Sequence, residues 1–243
     1  MTRGPQCLQE AWLDADAPDQ GYPYDLPVVR ALKKTPLSFH PNLTYLVGEN
    51  GTGKSTLLEA LAVVLGFNPE GGTRNLRFST RDTHSDLAHY LHVAKGRRAR
   101  RGYFFRAESF YNVATAIDEI GVTEFYGDRS LHAQSHGESF LSLAVNQFGG
   151  DGLFILDEPE AALSPGRQLS VLTILHQSIQ AGSQYVIATH SPILMAYPDS
   201  WIYSLTESGL ARTEYDDTEQ VRITRNFLAN PDRMMRHLFD NDS

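Results

Sequence analysis

Leu43-Thr44-Tyr45-Leu46-Val47 runs into Gly48-Glu49-Asn50-Gly51-Thr52-Gly53-Lys54-Ser55-Thr56, and then into Leu57-Leu58-Glu59-Ala60-Leu61-Ala62-Val63-Val64-Leu65-Gly66. The first five residues are β-branched, aromatic or leucine, as a buried strand requires. The glycines supply a turn with open backbone angles. The Leu/Ala-rich run after Lys54 predicts a helix, and Gly66 predicts its end. Gly48, Gly53, Lys54 and Ser55 fit the spacing G-x-x-x-x-G-K-[ST], with strand before and helix after. In that order, successive backbone N–H groups make a nest for phosphate oxygens. The start of the helix adds its dipole and unpaired N–H groups. Lys54 is then placed to reach the β- and γ-phosphates, and the Ser55 hydroxyl is a candidate Mg²⁺ ligand. The competing reading, an ordinary glycine turn with an exposed lysine, explains neither flank.

The 243 residues suit one sizeable α/β domain. A formal net charge of −8 argues against bulk coating of nucleic acid but leaves room for a local basic patch. Cys7 is the single cysteine, so there is no internal disulfide framework. No apolar run reaches the roughly 20 residues that span a bilayer, and the N-terminus lacks a signal-peptide core. These features predict a cytoplasmic protein with no membrane insertion.

Residues 1–25, rich in Asp, Pro, Gly and Gln, read as an irregular lead-in. Tyr22 and Tyr24 stand there as core or surface aromatics, or as an adenine platform, for which Tyr24 is the better placed. A strand ending at Leu37-Ser38-Phe39 is expected to pair beside Leu43–Val47. Ser85 to Val93 is ambiguous between helix and strand. Lys95 to Arg101 is a basic cluster, either a solvated turn or a contact for nucleic-acid phosphates or an acidic partner. Gly102–Arg106 reads as a strand and Phe110–Ile120 as a helix.

Ser135-His136-Gly137-Glu138 opens an amphipathic run. Ser135 and Glu138 have capping-box spacing, and a helix start is also an anion site. Leu153-Phe154-Ile155-Leu156 is a buried strand ending in Asp157-Glu158-Pro159. Ligands of open α/β sheets bind at that end of the strands. Asp157 is placed to hold Mg²⁺, and Glu158 to orient or deprotonate a water. Arg167–Gln180 is a helix and Gln184–Ala188 another buried strand. The latter leads to His190, a candidate γ-phosphate contact. Trp201–Leu205 is a late strand. Thr218–Leu228 and Asp232–Phe239 are helices expected to cap the sheet, with Met234, Met235, Leu238 and Phe239 as core or interface.

Taken together, these motifs resemble the ATP-binding-cassette ATPases, and more narrowly the soluble SMC/RecF-type AAA-family ATPases without coiled-coil arms. The resemblance covers about Leu26 to Phe239. Gly48–Thr56 matches the Walker A loop, and Leu153–Glu158 matches Walker B with its catalytic glutamate. Ser135–Glu138 matches the signature motif, with His136 and Glu138 replacing its usual Gly and Gln. Glu160–Ser164 sits at the D-loop, and His190 matches the switch histidine. A Q-loop glutamine is missing, with Glu108 (a further metal-ligand candidate) or Arg106 in its place.

The resemblance implies a P-loop NTPase fold with a helix-flanked sheet, spanning residues 26–243, with a small helical lobe at about 107–148. It implies ATP and Mg²⁺ as ligands and an ATP-dependent head-to-tail homodimer. In that dimer Ser135, Gly137 and Glu138 of one subunit cover the nucleotide on the other. Glu158, His190 and Lys54 are the catalytic candidates. A soluble switch acting on DNA or with an effector protein is the leading role. A transporter ATP-binding subunit is the alternative, and a small-molecule kinase is disfavoured by the signature-like motif.

Overall fold

The computed structural model describes residues 6–75, 85–121, 123–126 and 130–239. In chain order its strands are β1 (Leu8–Leu13), β2 (Leu37–Ser38), β3 (Leu43–Gly48), β4 (Leu91–Lys95), β5 (Arg101–Arg106), β6 (Gly152–Asp157), β7 (Gln184–Ala188), β8 (Trp201–Thr206) and β9 (Gly209–Thr213). Its helices are α1 (Pro27–Lys34), α2 (Lys54–Val64), α3 (Leu87–Tyr90), α4 (Phe110–Ile120), α5 (His136–Gln147), α6 (Pro165–Gln180), α7 (Pro192–Met195), α8 (Glu219–Ala229) and α9 (Pro231–Phe239).

The large sheet has the order β5-β6-β7-β3-β8-β9. All its pairings are parallel except the terminal β8–β9 hairpin. Strands β3, β6 and β7 are buried at every position. A parallel strand covered on both faces must be apolar on both, which is why these runs read as continuous rather than alternating. Along β6, Phe154 and Leu156 face a core shared with Phe105, Phe140 and Tyr185. Leu153 and Ile155 face the opposite core, with Leu57, Leu61 and Val186. Each such side chain contributes roughly 1.5–3 kcal/mol by leaving water.

A smaller sheet, β2-β1-β4, adjoins the second core. It corrects two sequence expectations. Residues 8–13 are not irregular but form β1, with Leu8, Ala11 and Leu13 buried and an antiparallel partner in β4. Strand β2 pairs with β1 and not with β3. Both edges of β3 are already taken by β7 and β8, so no hydrogen-bonding edge remains for it. The ambiguous stretch splits into the short helix α3 and strand β4. Gln184 joins the two sheets. Its buried amide accepts from Cys7 N and Leu8 N, at 2.9 and 2.8 Å, and donates to Leu8 O and His40 O, at 2.7 and 2.9 Å. Every polar atom of that amide is thereby satisfied, as burial demands.

The C-terminal helices form where the sequence places them, but they do not cap the sheet. Val221 is the buried residue of α8, and α9 has none. Met235, Leu238 and Phe239 are exposed, so they lie outside the core.

Candidate nucleotide site at the carboxyl ends of the strands

Sheet register fixes the site. Leu46 and Asp157 both stand level with Ala188, and Arg106 stands level with Asp157. The loops that follow these residues therefore open on one edge of the sheet. The first is the glycine loop. Gly48 has φ +152°, and a Cβ there would stand 2.3 Å from Leu205 O. Gly53 has φ +96°, and its Cβ would meet Val28 at 2.7 Å. Neither position accepts a side chain, so the loop is pressed between β8 and α1. Among the described residues the first N–H of this turn with a backbone partner is that of Leu57, to Gly53 O at 2.9 Å. The N–H groups before it make the anion-binding end of α2.

Lys54 is buried, and its ammonium spans the inside of the loop, donating to Gly48 O at 2.7 Å and Glu49 O at 2.8 Å. Burial lowers its pKa, and the carboxylates of Glu158, Asp157 and Glu160 pull the other way. Thr52 closes the loop through its hydroxyl on Glu49 O at 2.9 Å. Glu49, Asn50 and Gly51 are exposed at the tip, and Ser55 and Thr56 are half-buried.

Asp157 is 4% exposed and accepts a hydrogen bond from Ser55 Oγ at 3.1 Å. Burial pushes its pKa up to about 6, against the Ser55 hydrogen bond and the charge of Arg106. Two cis ligands of an octahedral Mg²⁺, each about 2.1 Å from the ion, stand about 3.0 Å apart. The Ser55–Asp157 spacing fits that edge. One carboxylate, one hydroxyl, phosphate oxygens and water form a donor set that Mg²⁺ prefers.

Glu158 adopts φ 49°, an unusual conformation for a residue with a side chain. Its backbone N–H is held by Ala188 O at 3.0 Å, and its carboxylate lies 3.8 Å from His190 Nε2. That His190 nitrogen is buried without a hydrogen-bond partner. The His190 backbone donates to Glu160 Oε1 at 2.6 Å, and burial raises the Glu160 pKa. The resemblance places Glu160 only in the D-loop and assigns it no contact with His190. The signal was there: Asp157-Glu158-Pro159-Glu160 places three acids in four positions at a strand end.

The structure thus gathers the glycine loop, Lys54, Ser55, Asp157, Glu158 and His190. It does not gather the remaining candidates. Glu108 is turned to Arg106 Nη2 at 3.1 Å, with its side chain 82% exposed. Ser135 and Glu138 are exposed and Gly137 is buried. The Glu138 carboxylate accepts from the Ser135 backbone and hydroxyl, at 3.0 and 2.7 Å, which lowers its pKa. Arg167 Nη2, at the start of α6, lies 3.3 Å from it. Among the described residues, no hydrogen bond or ion pair joins this cluster to the glycine loop of the same chain. Tyr24 is buried edge-on against Tyr90, which leaves it no face for a base, while Tyr22 is exposed. The basic cluster lies at the opposite end of the strands, where Arg97 and Arg100 pair with Asp151 at 3.2 and 3.8 Å.

Residues 29–124 match a family profile described as "AAA domain". Residues 120–196 match a second, described as "AAA domain, putative AbiEii toxin, Type IV TA system". The iron(3+)-hydroxamate import ATP-binding protein FhuC of Bacillus subtilis is 30% identical over 55% of this chain and 56% of its own length. The hemin import ATP-binding protein HmuV of Rhodopseudomonas palustris is 28% identical over 77% of this chain and 76% of its own. Against three longer relatives the chain spans only 24% to 32% of their length. A solved ATP-binding subunit of an ABC transporter superposes with TM-score 0.50 at 18% identity, covering 90% of this chain and 93% of that one. Motif order, sheet topology and the superposition agree that the chain has the fold of the ATP-binding-cassette ATPases, and its residues 29–196 are similar to AAA domains.

Proposed function

We propose that the chain binds ATP with Mg²⁺ and hydrolyses its γ-phosphate bond. The observation that carries this reading is the 3.1 Å approach of Ser55 to Asp157 beside the buried Lys54. Glu158 and His190 stand on the same edge. Gly48 to Thr56 wrap the phosphates with backbone N–H groups, and Lys54 exchanges its loop carbonyls for β- and γ-oxygens. Ser55 and Asp157 would hold Mg²⁺, which would supply neutralising charge at the phosphates. Glu158 orients a water and takes its proton as the water oxygen bonds to the γ-phosphorus and the ADP oxygen leaves. His190 is positioned to donate from Nε2 to a γ-oxygen. Catalysis is positioning and charge stabilisation more than covalent chemistry.

Residues 26–243 act as one domain, with the small lobe at about 107–148 and β1 attached to it. Among the described residues, Ser135, Gly137 and Glu138 find no partner across their own chain's site, which supports an ATP-bridged head-to-tail homodimer. Loss of the γ-phosphate then loosens that dimer. The role we favour is a cytoplasmic switch acting on DNA or an effector protein. A second reading, the ATP-binding subunit of a transporter, is favoured by the relatives FhuC and HmuV. Among the described residues no helix is long and apolar enough to cross a membrane, so in that reading the membrane-spanning part lies outside them.

The test is phosphate release from ATP·Mg²⁺ together with size-exclusion chromatography. Glu158→Gln is expected to slow release about 100-fold or more, keep nucleotide binding and elute as a dimer with ATP·Mg²⁺. A wild-type chain that neither binds nor hydrolyses ATP sinks the proposal, and a variant that stays monomeric sinks its dimer. Repeating the assay with duplex DNA at two salt concentrations tests the partner. Stimulation that fades at high salt supports phosphate contacts. Co-purification with a membrane protein supports the transporter reading instead.

A further inference from the structure

Arg106 ends β5 where the resemblance leads one to expect a glutamine, and the structure gives it a specific place. Its guanidinium reaches Glu59 Oε2 at 2.6 Å, Glu108 Oε2 at 3.1 Å and Asp157 Oδ2 at 3.9 Å. Glu59 lies one turn after Ser55 on α2, and Asp157 is the register partner of Arg106 on β6. Arg106, Glu59, Ser55 and Asp157 therefore close a ring that joins the glycine-loop helix to two strands. The two oxygens of Asp157 are divided within it. Oδ1 takes the Ser55 hydroxyl on the cation-site side, and Oδ2 faces the guanidinium. Burial works against the charge on Arg106, but Glu59, Asp157 and Glu108 outweigh it and hold its pKa above the ordinary value. Arg106 Nε is buried with no hydrogen-bond partner and points to the one oxygen of Asp157 that Ser55 leaves open.

We propose that Arg106 is a positioning residue for the cation site, holding the Asp157 carboxylate against Ser55 and setting a competing positive charge beside Mg²⁺. The inference rests on the ATP·Mg²⁺ reading above. An amide in this place would orient Asp157 without competing. A fixed cation beside the same carboxylate repels the ion, so Mg²⁺ settles only when phosphate oxygens add their negative charge. Glu59 moderates the effect, because its carboxylate draws the guanidinium away from Asp157. A mere structural clamp makes a different prediction: loss of either partner then loosens the site and weakens Mg²⁺ alike.

The experiment measures the half-saturating Mg²⁺ concentration for binding of a fluorescent, non-hydrolysable imidotriphosphate analogue of ATP to the full chain. Arg106→Gln is expected to lower it about 10-fold, a modest share of what a unit charge a few ångströms from an ion exerts at an effective dielectric near 20. Arg106→Lys keeps the charge and stays within about twofold of wild type. Glu59→Gln is expected to raise it about threefold, because the freed guanidinium presses on Asp157. An unchanged or raised Mg²⁺ midpoint in an Arg106→Gln protein that still binds the analogue overturns the role of Arg106 and leaves the ATP reading intact. If Arg106→Gln does not fold, Arg106→Met takes its place, removing the charge but keeping the bulk, and an unchanged or raised midpoint in it overturns the proposal. A wild-type chain with no Mg²⁺-dependent binding takes down the ATP reading and this inference together.

Discussion

Strand β6 follows one acid, Asp151, and ends on another, Asp157, and the two ends treat charge in opposite ways. At its start, Asp151 pairs with Arg97 and Arg100, accepts the Arg100 N–H on its backbone oxygen at 2.9 Å, and stays half exposed. Arg97 also donates to Gly182 O. At its finish, Asp157 is buried with its pKa raised to about 6, beside a buried Lys54 whose pKa is lowered. Both flanking turns use a residue at positive φ, Asp151 at 58° and Glu158 at 49°. Unusual backbone therefore does not separate function from scaffold here. The state of the charges does. Exposed, paired charges fix a turn at little cost, whereas buried charges with raised or lowered pKa values are held against their solvation, and a ligand offsets that cost.

The largest test of this contrast is Lys54→Ala. Loss of a buried ammonium aimed into the loop is expected to weaken ATP binding about 100-fold or more. Unchanged affinity in equilibrium binding breaks the assignment of the loop. Asp157→Asn comes next and has two signs. Mg²⁺-dependent nucleotide binding should fall at least about 10-fold, while the ligand-free chain becomes more stable. The folded pKa of Asp157 is raised above the unfolded value, so stability is fully present below the unfolded pKa. It is lost as pH rises through about 6. Loss of Arg106 and Ser55 contacts offsets part of this, leaving a gain of about 1–2 kcal/mol at pH 7.5. Urea melts at pH 5 and 7.5 measure it, and a variant less stable than wild type at pH 7.5 contradicts the picture. The smallest effect belongs to the other end. Arg100→Ala should cost under about 1 kcal/mol and leave ATP affinity unchanged. A large loss of affinity there would erase the distinction between the two ends.

The glycine loop, the strand before it and the helix after it could be read in the sequence, because their determinants are consecutive residues. The same holds for Asp157-Glu158 at the end of an apolar run, and for the long helices α4, α6 and α8, whose periodicity is local. Strand β1 could not be read that way. Its partner β4 lies far along the chain, and the Asp- and Pro-rich stretch after Leu13 masks its short alternation. Amphipathicity placed α8 and α9, but a helical period does not say what covers its apolar face, and their placement on the sheet failed for that reason.

What the sequence by itself determined is the chemistry on offer: a phosphate loop, a carboxylate pair and a histidine, each at the end of a strand. Only the tertiary structure decided which of them meet. Ser55 and Asp157 are 102 residues apart and Glu59 and Arg106 are 47 apart. Those meetings follow from the strand order β5-β6-β7-β3 and its register, which side-chain pattern along a single strand does not encode. A parallel sheet brings the carboxyl ends of distant strands to one edge, and it is this packing that turns separate motifs into a site.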